Sequence, residues 1–528
     1  MLYYKQAGDI PAEFSISERC LPGQTKVPIM KSHYRILALL SALLLTSSAC
    51  GGQSTGEPDS TSGLQSDETT AIDDITAREN TPDSLPADLN LNGRTITFSG
   101  GSGYSGGDSI NELQGTENSG DIVNDAIYNR NIAVSERLNV NLEFTINTDS
   151  AGTYAGMLRT LVNAGDDTYD IMVCSQNYFM PVIVEGLFYD LIDAPYLDYS
   201  QPWWSNEYMN TISIHEGTRY ALRGDLSISE MLYLSATYMN TRLYNDNFGD
   251  VNEFYNLVLD GKWTLEKLCE YSKKIYHDIN GNGVMDENDT LGFGANNSGI
   301  TDHIAYPAGI RYSERDSNGY PCLIDDHSRN VKVVEALYKL YHETEGALGV
   351  PVAESDKVKS AFINGNCLFR TGLLGDTGGF REMKDDYTII PTAKLDEEQP
   401  TYLSLVHDSA SLYSIPITNA DIDPACAVLE ALCAETYRKV TLTYYEVALK
   451  VKYARDNISA QFIDIIRENA TTDFIYANNF ALGAGSKLGT ITRTLVQNKS
   501  TDYMSSYASL KSPLEEAINQ MIEMSQKH

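Results

Sequence analysis

The stretch Tyr169–Cys174, reading YDIMVC, constrains the fold most, because a short apolar run of this kind belongs in a sheet covered on both faces. What precedes it sets the context. Arg94 to Ser99 (RTITFS) alternates like a strand and runs into a Gly-rich loop, Gly101 to Gly107. A helix is expected from about Gly120, with Val123, Ala126, Ile127, Val134 and Leu138 at helical spacing. Asn141–Ile146 reads as a second strand and Tyr154–Val162 as a second helix. Strand, helix, strand, helix, strand describes βαβ units, and therefore an α/β lobe.

Further along, Arg219–Leu226 and Leu232–Met239 read as strands. Thr264 is placed to cap a helix whose Leu265, Leu268, Cys269, Ile275 and Tyr276 lie mostly on one side. A strand stretch after Leu403 ends at Ile415-Pro416, and Asp423-Pro424 reads as an N-cap followed by Pro at the first helical position. From there the chain is largely helical. At 528 residues it has length for two lobes, and 42% hydrophobic content is ordinary for a globular body.

The N-terminal region points to export. From Met30 the chain reads MKSHYRILALLSALLLTSSACGG: Lys31 and Arg35, then an apolar run from Ile36 to Leu45, then small residues ending at Cys50. The run is shorter than the ~20 residues a membrane span needs. Residues 30–49 are therefore expected to be a signal peptide, and 1–29 an upstream extension from a misassigned start. The succession resembles a bacterial lipobox, with Ala49 before Cys50 but Ser47 where Leu is usual. Lipidation of Cys50 would hang the chain from the outer face of the cell membrane. Residues 50–90, rich in Ser, Thr, Asp, Gly and Pro, read as a flexible tether, and the globular part begins near Leu91.

A net charge of −33 argues against a nucleic-acid partner, since phosphate binding needs clustered Lys and Arg. Cysteines beyond Cys20 and Cys50 form no C-x-x-C pair. Cys426 and Cys433, seven apart on a helix, are too distant for a disulfide and read as small core residues. The absence of a disulfide frame in an export fits a Gram-positive surface or a low-oxygen habitat.

Three constellations carry chemistry. Gly101-x-Gly103-x-x-Gly106 follows a strand, but a dozen polar residues separate it from the helix that should hold a pyrophosphate, so a flexible loop is the better reading. In Asp278–Asp289 the side-chain oxygens of Asp278, Asn280, Asn282, Asp286 and Asp289 stand at positions 1, 3, 5, 9 and 12, with Gly283 at 6 and the Val284 carbonyl at 7. This spacing wraps one Ca²⁺, as a structural clamp on the second lobe, although Asp at position 12 closes less surely than Glu. Finally, Tyr178, Trp203, Trp204, Tyr238 and Trp263 occur in polar surroundings in a chain with 34 Tyr, 14 Phe and 3 Trp. Any one of them can pack in a core. Alternatively Tyr178, Trp203, Trp204 and Tyr238 line a cleft and stack on a sugar, with Asp225 accepting from its hydroxyls. For Trp263, packing is favoured. H-E-x-x-H does not occur.

Several segments together resemble extracellular solute-binding proteins of family 1, the sugar-capturing lipoproteins of ABC importers. They are Tyr196–Gly224 with Pro-Trp-Trp, Arg219-Tyr-Ala-Leu-Arg-Gly-Asp225, Asp260-Gly-Lys-Trp263-Thr through the loop to Leu291-Gly-Phe293, Glu117 to Arg130-Asn131, and Lys452-Tyr-Ala-Arg455-Asp456. The resemblance covers roughly residues 91–528. It implies an α/β, two-lobe, periplasmic-binding-protein-like fold with a hinge, an interlobe cleft and a helical C-terminal part. The expected division is lobe 1 at 91–232, lobe 2 at 233–403, a return to lobe 1 at 404–440, and a helical part at 441–528 mainly on lobe 2. The crossings fall near Leu232–Met239 and Leu403–Ile415. It further implies a non-enzymatic, monomeric receptor with a carbohydrate ligand, ABC permease subunits as partners, and membrane attachment through the lipid alone. A secreted glycoside hydrolase and a peptide-binding importer receptor remain as alternatives.

Overall fold

In the computed structural model the described residues are 78–101, 110–380, 383–444, 457–483 and 487–526. Cys50, the signal segment, residues 50–77 of the tether, the Gly-rich loop after Gly101, and Lys452–Asp456 lie outside them.

Two sheets organise the chain. The first holds β1 (Arg94–Gly101), β2 (Val140–Asn147), β3 (Ile171–Ser175) and a late arrival, β12 (Ser411–Ser414), in the order β12-β3-β1-β2. The first three are parallel, and β12 runs antiparallel to β3. Every residue of β3 is buried, as its apolar run requires. Between β1 and β2 lies α1 (Ile122–Leu138), started by Asp121, whose carboxylate accepts from the N–H groups of Val123 and Asn124. It stops at Asn139, left-handed at φ 48°. Helix α2 (Ala151–Asn163) follows β2.

The second sheet has the order β10-β4-β9-β5-β8: β4 (Ser235–Asn240), β5 (Leu291–Asn296), β8 (Ala347–Val350), β9 (Cys367–Leu373) and β10 (Tyr387–Ile390). A small hairpin, β6 (Ser313–Arg315) with β7 (Pro321–Leu323), stands outside it. Helix α3 (Leu265–Ile275) packs on β5, and Thr264 caps it by accepting from the Lys267 N–H. Helix α4 (Asp423–Glu435) lies on the first sheet's side against α1, with Cys426 and Cys433 fully buried. It begins at Asp423 itself with Ile422 as the flanking residue, so Asp423 is not its N-cap. Helix α5 (Asn457–Glu468) then lies against β10, and α6 (Tyr503–Ser525) also belongs to the second lobe.

Where the chain passes between lobes the segments meet. Leu234 and Val406 form an antiparallel bridge, and the His407 N–H donates to the Tyr233 carbonyl at 3.0 Å. The outward crossing is therefore Tyr233–Leu234, and the rest of the stretch up to Met239 is the strand β4 of the second sheet. On the return, β11 (Ser404–Leu405) pairs in parallel with β13 (Ala470–Thr471) before the chain reaches β12. Arg219–Leu226 is not a continuous strand; only isolated bridges form, Leu222 with Tyr413 and Gly224 with Trp204.

The start of the globular body also differs from expectation. Residues 78–90 are held against the first lobe: Asp83 pairs with Arg137 and with Arg438 at 2.7 Å, and Leu85 is buried. Two arginines and one buried leucine anchor a stretch whose composition alone suggests a free tether. The cysteines among the described residues are free.

Candidate functional site

A cavity of about 500 Å³ opens between the lobes beside the crossing segments. Residues 199–202 and 204–208, with Asp225, Ser227, Ile228, Glu230, Met231, Leu234 and Thr441, form one side, and Arg467, Glu468 and Ala470 form the other. Its side chains are rich in acceptors: Asp225, Glu207, Glu230 and Glu468, with Gln201, Asn206 and Ser205 among them. Arg467 is the guanidinium on the wall.

Local sequence explains how these residues arrive there. Gly224 closes against the Trp203-Trp204 turn so tightly that a Cβ would stand 2.5 Å from the Trp203 carbonyl oxygen. The Asp225 N–H donates to that same oxygen at 2.9 Å. Asp225 is thereby delivered to the cavity, where its Oδ2 accepts from Thr441 Oγ1 at 2.9 Å and from Arg78 at 3.3 Å. Arg467 stands 3.7 Å from Oδ1. Glu230 lies nearby on the short helical turn Ile228–Leu232, and both of its carboxylate oxygens are within 3.0 Å of Ser205 Oγ. Burial pushes the Glu230 carboxyl above the ordinary Glu value, with the Arg223 charge opposing.

The sequence candidates separate into two groups. Trp204 and Asp225 line the cavity. Trp204 nevertheless exposes little: Tyr199 and Tyr413 pack on it, and its indole N–H donates to Glu430 at 2.8 Å. Trp203, Tyr178 and Tyr238 are placed elsewhere. Trp203 is wholly buried in the core under α4, with its N–H also on Glu430 at 3.2 Å. Tyr178 stands edge-on to Phe480 beside Gly152, away from the cavity. Tyr238 is completely buried in the second lobe among Phe362, Phe380 and Tyr387, its hydroxyl donating to the carbonyls of Leu373 and Leu374. Its position on the inner strand β4 turns the ring into a packed interior, so it cannot reach a ligand. Trp263 is a core residue, its N–H donating to the Pro391 carbonyl at 3.1 Å.

The cavity residues not foreseen were Glu230, Tyr199, Tyr208, Gln201 and Arg467. Glu230 carries no local motif; a carboxylate five residues beyond Asp225, on the threshold of a crossing segment, was the available signal. The Glu117–Asn131 motif proves structural. Buried Arg130 donates to the carbonyls of Glu112 and Leu113 and to Thr436, and burial lowers its pKa to about 10.

In the loop 278–289 the expected ligands form a chain of tight turns. Asp278 accepts from the N–H groups of Gly281 and Gly283, Asn280 from Asn282, Asn282 from Val284, and Asp289 from Ile279 and Asp286. The donor set of carboxylate, amide and backbone oxygens suits a hard cation. Among the described residues, no group of three or more His, Cys, Asp or Glu side chains converges as a metal site. The side chains of Asn280 and Asn282 turn their N–H₂ groups to Asp286 and would have to rotate to offer oxygen.

No protein-family profile matches the chain, and no curated protein matches it. Solved structures do share its outline. An ABC substrate-binding protein from Listeria monocytogenes in complex with cycloalternan is 11% identical over 82% of this chain and 99% of that one, with a TM-score of 0.47. A solute-binding protein from Thermotoga lettingae bound with alpha-D-tagatose is 12% identical over 80% and 100%, with a TM-score of 0.49. A family 1 extracellular solute-binding protein from Bifidobacterium longum subsp. infantis is 13% identical over 81% and 100%, also at 0.49. The likeness is one of outline. It assigns no ligand contact in the cavity, which is known here from its own residues. Among the described residues, no helix is long and apolar enough to cross a membrane.

Proposed function

We propose that this chain is the extracellular substrate-binding component of an ABC importer, capturing a sugar or oligosaccharide between its lobes for delivery to permease subunits. The observation that carries this reading is the 500 Å³ cavity at the crossing segments, lined by both lobes and rich in acceptors. Sugar hydroxyls are donors that carboxylates such as Glu230 and Asp225 can take in pairs, and charge-assisted bonds of this kind are the stronger ones. Closing the lobes around a bound ligand would bury those bonds and change the surface presented to a permease. The test is calorimetry against a glycan panel with a peptide library alongside. Glycan binding without turnover supports the receptor, and peptide binding with no glycan bound supports a peptide receptor.

A specific observation favours a second reading, a secreted glycoside hydrolase. Glu230, with its raised pKa, neighbours Asp225, which is paired with arginines, and two carboxyl groups in unlike environments are what glycoside cleavage employs. Release of free sugar during the titration would decide for it.

Lipidation at Cys50, attachment to the membrane through that lipid alone, a Gram-positive host, a monomeric state and one structural Ca²⁺ in the loop 278–289 belong to the same proposal. The sequence succession from Met30 to Cys50 and the oxygen spacing of the loop support the anchor and the ion.

A further inference from the structure

The N-terminal arm touches Asp225, a wall residue of the cavity that the sugar reading assigns to the ligand. From Leu85, buried in the first lobe, the arm runs back along the end of α4. Ser84 donates to Glu430, the Thr81 carbonyl accepts from Arg438 at 2.8 Å, and Glu79 pairs with Lys439 at 3.3 Å. Arg78, the first described residue of the arm, lies with its guanidinium 3.9 Å above the Tyr437 ring, donates through Nε to the Tyr437 carbonyl at 2.9 Å, and reaches Asp225 Oδ2. Asp225 lines the cavity. Its second oxygen, Oδ1, faces Arg467 on α5 of the other lobe at 3.7 Å. One carboxylate thus meets the arm on one side and the opposite lobe on the other.

We propose that Arg78 is a positioning residue of the cleft: by holding Oδ2 of Asp225 together with Thr441, it presents Oδ1 to Arg467, so that the docked arm sets how firmly the lobes meet around the pocket. The physical reason is geometric. A carboxylate held at one oxygen loses rotational freedom, and the entropy of orienting it toward Arg467 is already spent before the lobes approach. The Arg78 side chain is itself clamped by the Tyr437 ring and carbonyl, so the arrangement does not depend on a freely moving arm. A body cut at Leu91, where composition suggests the fold begins, would keep both sheets and lose this support.

The test is hydrogen exchange on the full chain without any ligand, so its failure leaves the sugar reading untouched. Replacing Arg78→Ala should speed exchange of the 457–471 peptides, which carry Arg467, by about fivefold, the scale of a single partly exposed ion pair, while α1 stays as in the wild type. Arg78→Lys should restore much of the protection. Arg467→Ala should reproduce the effect, and the double variant Arg78→Ala/Arg467→Ala should exchange no faster than Arg467→Ala alone. Three results would overturn the proposal: exchange at 457–471 within twofold of wild type, equal acceleration at α1, which would mean the arm only braces the first lobe, or accelerations that multiply in the double variant.

Discussion

The indole N–H of Trp204, on the cavity wall, donates at 2.8 Å to the carboxylate of Glu430, which is buried and receives the Trp203 indole on its other oxygen. Burial raises the Glu430 pKa from 4.5 to about 7, while hydrogen bonds from Trp204, the Asp198 N–H and Trp203 hold it down. The folded protein therefore holds a proton there that the unfolded chain has released. Stability from this group is fully present below about 4.5 and is lost as pH rises through about 7. The difference between wild type and Glu430→Gln should span on the order of 2–3 kcal/mol across that window. Tryptophan fluorescence should titrate in the wild type near neutrality and stay flat in Glu430→Gln. A flat wild-type titration would contradict the assignment.

Within the cavity, Glu230→Gln and Asp225→Asn should each weaken glycan affinity by about tenfold or more, the loss of one charge-assisted bond. Tyr238→Phe should leave affinity unchanged and cost about 1 kcal/mol of stability, since its hydroxyl donates only within the second lobe. Calorimetry with the glycan found in the panel, paired with denaturant unfolding, separates the two kinds of effect.

Beside the crossing segments the rings of His303 and His407 stack with centroids 5.3 Å apart. Ser235 Oγ lies 2.6 Å from His303 Nδ1, and Asp408, the Asp302–Arg493 pair and Tyr233 surround them. Burial lowers both imidazole pKa values. The folded state keeps the rings neutral and the unfolded chain protonates them near 6.5, so their contribution is present above that pH and lost as pH falls below it. Stability should decline by about 1.4 kcal/mol per pH unit for each ring kept neutral, and His407→Gln should reduce that slope. A slope unchanged by the substitution would refute the claim.

For the loop 278–289, binding of one Ca²⁺ to the folded state alone would raise stability by about 2–4 kcal/mol well above Kd. Calorimetric melting should rise with Ca²⁺, fall with chelator, and lose the response in Asp278→Ala. A melting temperature indifferent to both additions would mark the loop as a plain run of turns.

Lipidation predicts a membrane-extracted mass with diacylglycerol on an N-terminal Cys50. The Cys50→Ala protein should leave the membrane fraction; its full retention there would exclude the anchor.

Local sequence determined a good deal of this molecule. The spacing of apolar residues placed β1, α1, β2, α2 and β3, because helix and strand registers are written in it, and Thr264 was legible as the cap of α3. The adjacent Trp203 and Trp204 were visible, as was Asp225 behind its glycine. What the sequence could not show was which way those rings face. Trp203 and Tyr238 are as aromatic as Trp204, and only the packing of α4 and of β4 decides that the first two are interior and the third borders the cavity. Arg78 and Arg467 were equally hidden, because they lie 147 and 242 positions from Asp225 along the chain and acquire meaning only where two lobes and an arm converge on its carboxylate. Local order follows from neighbours in sequence, whereas the cavity is made of long-range contacts, and no spacing rule encodes those.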